Sequence, residues 1–326
     1  MLALDFDEPV KVKIAEPKPA EPEVQLIKPD EVRWLGVYDN LDFATYQRAP
    51  GINNSGLKTF HRSPAHYITE KYHPQPETRA KKVGHALHCL VCEPEKFRQL
   101  YIAAKYKSYR TDEAKAWLQA AEEAGFFVLR TSTESDPFWN PPEWDLVHRM
   151  ADSLLNNPVA ALLLQGYFER SIFWVDKGDN RHEGTYKLCK MRADIYNQDH
   201  RMLVDLKSAE DASYEGFRRA VHSWDYHRQE PYYLMGATSE EAVKAGMDVK
   251  NGFIFIVVEK QPPWAVAGYK LDPEWVRVGR EIIHRDLQGY KQCHDANEWP
   301  CYGWQGGEVF TRDLVMPGYA NFQRVF

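Results

Sequence analysis

The chain has 326 residues, 44% of them apolar and 27% charged, with a net charge of −6. That is the composition of a soluble globular protein, and no segment reaches the ~18 consecutive apolar residues of a membrane span. The mild acidity argues against a protein that coats nucleic acid, but leaves room for an enzyme with a local basic groove.

Residues 1–33 carry eight acids and five bases and are rich in Pro, Glu and Lys. They read as a flexible arm ahead of one folded domain over 34–326. The start, "MLALDFDEPV", lacks the basic opening and apolar centre of a signal peptide. Five cysteines, an odd number, suit a reducing compartment, so a cytoplasmic location is expected.

Taken in chain order, "NNSGLKTFHRSPAHYITEKY" reads as one capped helix, with Asn53, Asn54 or Ser55 as N-cap. A second helix runs through "KVGHALHCLVCEPEKFRQLY", where Val83, Leu87, Leu90 and Val91 recur at helical spacing and Pro94 ends its first part. "DEAKAWLQAAEEAG" and "EWDLVHRMADSLLNNPVAALLLQG" supply further helices, separated by an aromatic, proline-broken loop. Strands follow in "ERSIFWVD", "YKLCKMRADIY" and "RMLVDLK", then a helical stretch, then "GFIFIVVEK" and "AVAGYKL", then a long closing helix. This order predicts an α/β (α+β) domain with a central mixed sheet flanked by helices.

The second and third strands hold the chemistry. Strand side chains alternate faces. Cys189, Met191, Ala193 and Ile195 share one apolar face, as do Met202, Val204 and Leu206. Asp194, Asp205 and Lys207 point the other way. Folding the hairpin about "NQDH" in a simple register sets Asp194 across from Leu203, with Asp205 its diagonal neighbour roughly 5–8 Å away. Two adjacent carboxylates repel in a low dielectric unless a cation joins them, and a hard divalent ion prefers such oxygens. A lysine beside them can hold an attacking water or stabilise developing negative charge. Ion, water and lysine together suit phosphodiester hydrolysis. The competing reading is a plain Asp–Lys salt bridge on a solvated sheet face.

"RADI…VDLKS" resembles the core motif of the PD-(D/E)XK nuclease superfamily. More closely, "NNSGLKTFHRSPAHY", "GHALHCLVCEPEKF", "KMRADI", "VDLKSAEDAS", "YHRQEPYYLMG" and "FIFIVVEKQPPWAVAGYKLD" follow the order seen in RecE-type exonuclease VIII proteins of phages and prophages, over about residues 44–303. The resemblance implies a restriction-endonuclease-like core. It also implies an exodeoxyribonuclease that degrades linear duplex DNA from 5′ ends and leaves 3′ single strands for recombination. Asp194 and Asp205 would bind Mg²⁺ (or Mn²⁺), the Leu206 backbone carbonyl would add a ligand, and Lys207 would serve the water. A helix histidine completes the family's metal set. The matching residue is His88, with His85 as its rival, and Gly84 one turn earlier would let this helix approach the sheet. Gln229 and Tyr233 match the family's Gln-x3-Tyr helix, sharing a face at i and i+4 to contact substrate or position the lysine. The implied partners are duplex DNA ends, a RecT-like single-strand annealing protein, and further copies of the chain in a ring. An endonuclease or nickase of the same superfamily, or a DNA-end-binding scaffold, are the alternatives.

Glu169 at the head of its strand reads mainly as a strand-end acid, with the metal or substrate as the second reading. Lys81 and Lys82 lead into the His88 helix and are the favoured phosphate contacts; Arg192 is a further substrate candidate. Arg62 and Phe60 are candidates to wedge the duplex end, and Tyr106 and Tyr109 to stack on a base. Some related nucleases carry an iron–sulfur cluster. Here Cys89 and Cys92 lie in a helical, apolar run and Cys293 and Cys301 lack matching spacing, so buried thiols are expected instead of a cluster.

Overall fold

The structure, a computed structural model, describes residues 11–13, 29–134 and 136–302. Most of the arm expected over 1–33 therefore lies outside the described residues, although Lys11–Lys13 form strand β1 and Pro29–Val32 the short helix α1. Strand β2 (Gly36–Tyr38) and helix α2 (Phe43–Arg48) follow. The single helix expected next is two, α3 (Asn54–Arg62) and α4 (Pro64–Tyr72). Pro64 has no N–H to continue a helix, and the Ser63 side chain instead caps the new one by accepting from His66 N at 3.2 Å. Pro94 acts alike, separating α5 (Arg79–Cys92) from α6 (Pro94–Leu100).

Next come β3 (Tyr101–Ala103), α7 (Asp112–Glu123), β4 (Phe127–Leu129), α8 (Glu143–Asn156) and α9 (Pro158–Leu163). The parallel pairing of β3 with β4 had no signal in the sequence; three residues are too few for a readable alternation. Then come β5 (Tyr167–Val175), β6 (Leu188–Asn197) and β7 (Met202–Ala209). Helices α10 (Tyr214–Ser223), α11 (Tyr226–Ala237) and α12 (Glu240–Lys244) lead to β8 (Phe253–Glu259) and β9 (Val266–Tyr269). Helix α13 (Pro273–Ala296) and β10 (Glu298–Pro300) end the described chain.

The central sheet has six strands in the order β2-β5-β6-β7-β8-β9. Only β7 and β8 are parallel, joined by the α10–α12 crossover, so the sheet is mixed and mostly antiparallel. Strand β8 alternates between two helical layers. Ile254, Ile256 and Val258 share a core with Leu87 and Val91 of α5, Met150 and Leu154 of α8, and Ile195, Val204 and Leu206. Phe255 meets Phe217 and Tyr226 of α10 and α11, and Phe253 meets Tyr233. Burial on both faces explains the unbroken apolar run "FIFIVV".

The chain divides into two units. Among the described residues, one contains 11–13, 55–74 and 286–302; the other contains 29–54, 75–134 and 136–285, including the whole central sheet. The first has an aromatic core in which Phe60, Tyr67 and Tyr290 meet edge to face. Phe60 is fully buried there, so it is a core ring and not a wedge for DNA. No described helix is long and apolar enough to cross a membrane.

Candidate metal-binding nuclease site

The β6–β7 hairpin pairs Tyr196 with Leu203 and Ile195 with Val204. The next step along the same register sets Asp194 opposite Asp205, two residues away from the expected pairing with Leu203. The turn causes the difference. Asn197 Oδ1 accepts from His200 N at 2.9 Å and Arg201 takes a left-handed φ of 52°, which moves the reversal towards β7. A slip of two keeps every side chain on its face, so the acids still meet.

Pairing stops at that step. Beyond it, Ile52 bridges β6 on the side β7 has left: its N–H donates to Leu188 O (3.0 Å) and its carbonyl accepts from Lys190 N (2.8 Å). The gap between β6 and β7 is where the site lies. Asp194 Oδ2 accepts from the backbone N–H of Leu206 at 3.0 Å. His88 Nδ1 of α5 lies 3.4 Å from the same oxygen. Glu169 approaches from β5, at the position across from Asp194, with a left-handed φ of 51° in mid-strand. A non-glycine residue in that region is strained, and such strain concentrates at functional sites. One donor atom from each of His88, Glu169 and Asp194 falls within 4.8 Å of the others.

The electrostatics fit a cation. Burial, and next the charge of Asp205, push the Asp194 carboxyl well above the usual range. Burial, reinforced by the Lys207 ammonium, lowers the His88 imidazole, leaving a neutral ring with a lone pair to donate. Ligand distances of about 2.0–2.6 Å let one ion bridge donors spaced like these.

Asp205 is 1% exposed. The Gln229 side-chain amide donates to its Oδ1, and the Lys207 ammonium closes on its Oδ2 as an ion pair without hydrogen-bond alignment, so that buried oxygen keeps acceptor capacity. Burial pulls the Lys207 pKa down, but Asp205 and then Asp194 outweigh it and the net shift is upward. The ammonium also lies 5.0 Å from the Tyr226 ring centroid. Asp205 is thus buried beside α11 and Lys207 half-buried, unlike the solvated sheet face of the competing reading.

The remaining candidates divide. Tyr233, one turn after Gln229, packs edge-on against Phe253. His85 turns to Glu77 (3.5 Å), away from the acids. Arg192, expected at the substrate, is buried. Its guanidinium donates to Glu169 and to the Leu41 carbonyl, so it positions Glu169 and is no DNA contact. Lys81 is exposed near Glu77 (3.7 Å), and the Lys82 ammonium lies 5.1 Å from the Phe127 ring centroid. Arg62 lies in the other unit, where its Nε donates to Tyr302 Oη at 3.4 Å. Tyr109 stacks on Trp117 and the Tyr106 hydroxyl donates to Glu113 at 2.7 Å, so both are engaged within the protein. Gly84 serves no close approach: a methyl group there would meet nothing within 4 Å. Cys89 and Cys92 enter different apolar clusters, and burial raises the Cys89 thiol to about 11.

Sequence reasoning undervalued Glu169. Its link to Asp194 spans the β5–β6 loop, whose length sets the register and cannot be read from alternation.

Comparison with known proteins bears on the family and the fold. No curated protein matches the chain. A solved structure titled a "Putative exonuclease" from Eubacterium rectale superposes with a TM-score of 0.50 at 12% identity, covering 85% of this chain and 96% of that one. At that identity the likeness concerns the fold alone. The family model described as a PDDEXK-like domain of unknown function (DUF3799) matches residues 53–307. The chain therefore belongs to this PDDEXK-like family and has the nuclease-type fold that its paired acids and lysine already indicated.

Proposed function

We propose that the protein is a divalent-metal-dependent DNA exonuclease of the RecE type, hydrolysing linear duplex from 5′ ends and leaving 3′ single strands. The observation that carries this reading is the convergence of His88, Glu169 and Asp194 at the gap between β6 and β7, with Lys207 held on Asp205 beside them. His88, Glu169, Asp194 and Asp205, with the Leu206 carbonyl, would hold Mg²⁺ or Mn²⁺. When bound, the ion neutralises charge at the scissile phosphate.

The chain's own groups do the rest. Lys207 offers three donors to orient the attacking water and to meet charge developing on the phosphate. Gln229 fixes the Asp205 carboxylate against rotation, and Arg192 fixes Glu169. Lys81 and Lys82, in the first turn of the helix that carries His88, would bind backbone phosphates. A scaffold that only held DNA ends would have no use for two adjacent acids and a lysine together. We extend the proposal to a bacterial cytoplasm, a ring of identical chains around the duplex, and a single-strand annealing partner.

The test is digestion of end-labelled linear duplex and of covalently closed circles with Mg²⁺, each with and without EDTA. Mg²⁺-dependent loss of linear DNA with early release of the 5′ label is expected, with circles intact. Cutting of circles at a similar rate would replace the exonuclease with an endonuclease.

A further inference from the structure

A second group of metal-ligating side chains lies outside the nuclease site, in the same unit. Asp179 and His182 belong to the loop between β5 and β6, and His284 projects from α13. One donor atom from each of the three lies within 4.8 Å of the others. His284 has a 6%-exposed side chain, and its Nε2 is buried without a hydrogen-bond partner, 3.5 Å from Asp179 Oδ2. The His182 and His284 rings stack at 3.9 Å between centroids and 6° between planes.

The loop holds its two residues firmly. Asp176 Oδ2 accepts from the backbone N–H (3.0 Å) and hydroxyl (2.7 Å) of Thr185. Asp179 Oδ1 accepts from the backbone N–H groups of Arg181 (2.8 Å) and His182 (2.9 Å). At Gly178, φ is 75° and a Cβ would come 2.3 Å from the His182 carbonyl, so only glycine lets the loop close. Glu281, one turn before His284, lies 3.2 Å from His182 Nε2 and fixes that ring.

A plain ion-pair network accounts for His182, which lies between Asp179 and Glu281. It leaves the His284 nitrogen unsatisfied, and a buried polar atom without a partner is destabilising. Two imidazoles and a carboxylate are donors that suit transition ions, whereas Mg²⁺ and Ca²⁺ take oxygen ligands. We propose that Asp179, His182 and His284 form a second cation site, selective for a divalent transition ion such as zinc, which ties the β5–β6 loop to α13. This site is independent of the proposed nuclease reaction.

The test is zinc stoichiometry and zinc-dependent melting of the full chain after chelation, in excess Mg²⁺, for the wild type, His284→Gln, His182→Gln and His88→Gln. Retention of a zinc ion by the wild type and by His88→Gln is expected. Affinity should fall at least about tenfold in His284→Gln and His182→Gln. Zinc should raise the melting temperature of the wild type and not of these two, while all melt cooperatively in chelator. The proposal fails if the wild type takes up no zinc under these conditions. It fails equally if uptake is lost in His88→Gln but unchanged in His284→Gln.

Discussion

Replacing Lys207 with methionine is expected to slow DNA hydrolysis at least about a hundredfold, the scale on which a single preorganised donor to a transition state acts. Methionine keeps the length and apolar stem of the side chain and removes only the ammonium. The loss should fall on the chemical step, because Lys207 lies beside the acids in the gap between β6 and β7. The substitution also leaves Asp205, 1% exposed, with Gln229 as its remaining hydrogen-bond donor. Breaking one partner from a buried ion pair costs about 3–5 kcal/mol. If Asp205 is a ligand, a divalent ion restores part of that loss. The variant's melting temperature should therefore rise more with added Mg²⁺ than the wild type's. Single-turnover digestion of end-labelled duplex and melting with and without Mg²⁺ check both expectations; normal digestion by this variant would remove Lys207 from the mechanism.

Gly279→Ala is expected to destabilise the fold by about 3 kcal/mol, the upper part of the range for overpacking. Helix α13 presses its Gly279 against the start of α11. A Cβ there would come 1.9 Å from the His227 carbonyl oxygen and 2.7 Å from its carbon. These are backbone atoms and cannot swing aside as a side chain can. His227 precedes Gln229 by two residues, so any displacement of α11 also moves the amide that holds Asp205. Chemical denaturation should show the lost stability, and the folded fraction should cleave DNA more slowly. Unchanged stability would mean that α11 and α13 pack less closely than the structure has them.

Much of this fold follows from local pattern. Pro94 and the alternating strands could be read directly, as could the shared face of Asp194, Asp205 and Lys207, because each rests on neighbouring residues. The exact hairpin register could not, since it depends on the Asn197 bonds and the left-handed Arg201. The choice of His88 over His85 rests on the family resemblance and not on Gly84, where a methyl group would meet nothing within 4 Å. Glu169 and its partner Arg192 were not, because their roles depend on a strand pairing across an intervening loop. The approach of His284 to Asp179 spans more than a hundred residues, and no periodicity in the chain reports it.

The account rests on a divalent ion held where β6 and β7 part. Anomalous diffraction from crystals soaked in Mn²⁺ locates such an ion without reference to activity. A peak within ligand distance of His88, Glu169 and Asp194 in the wild type, and its loss in Asp194→Asn, are expected. Well-diffracting crystals with no density at those three side chains, or with an equal peak in Asp194→Asn, would contradict it.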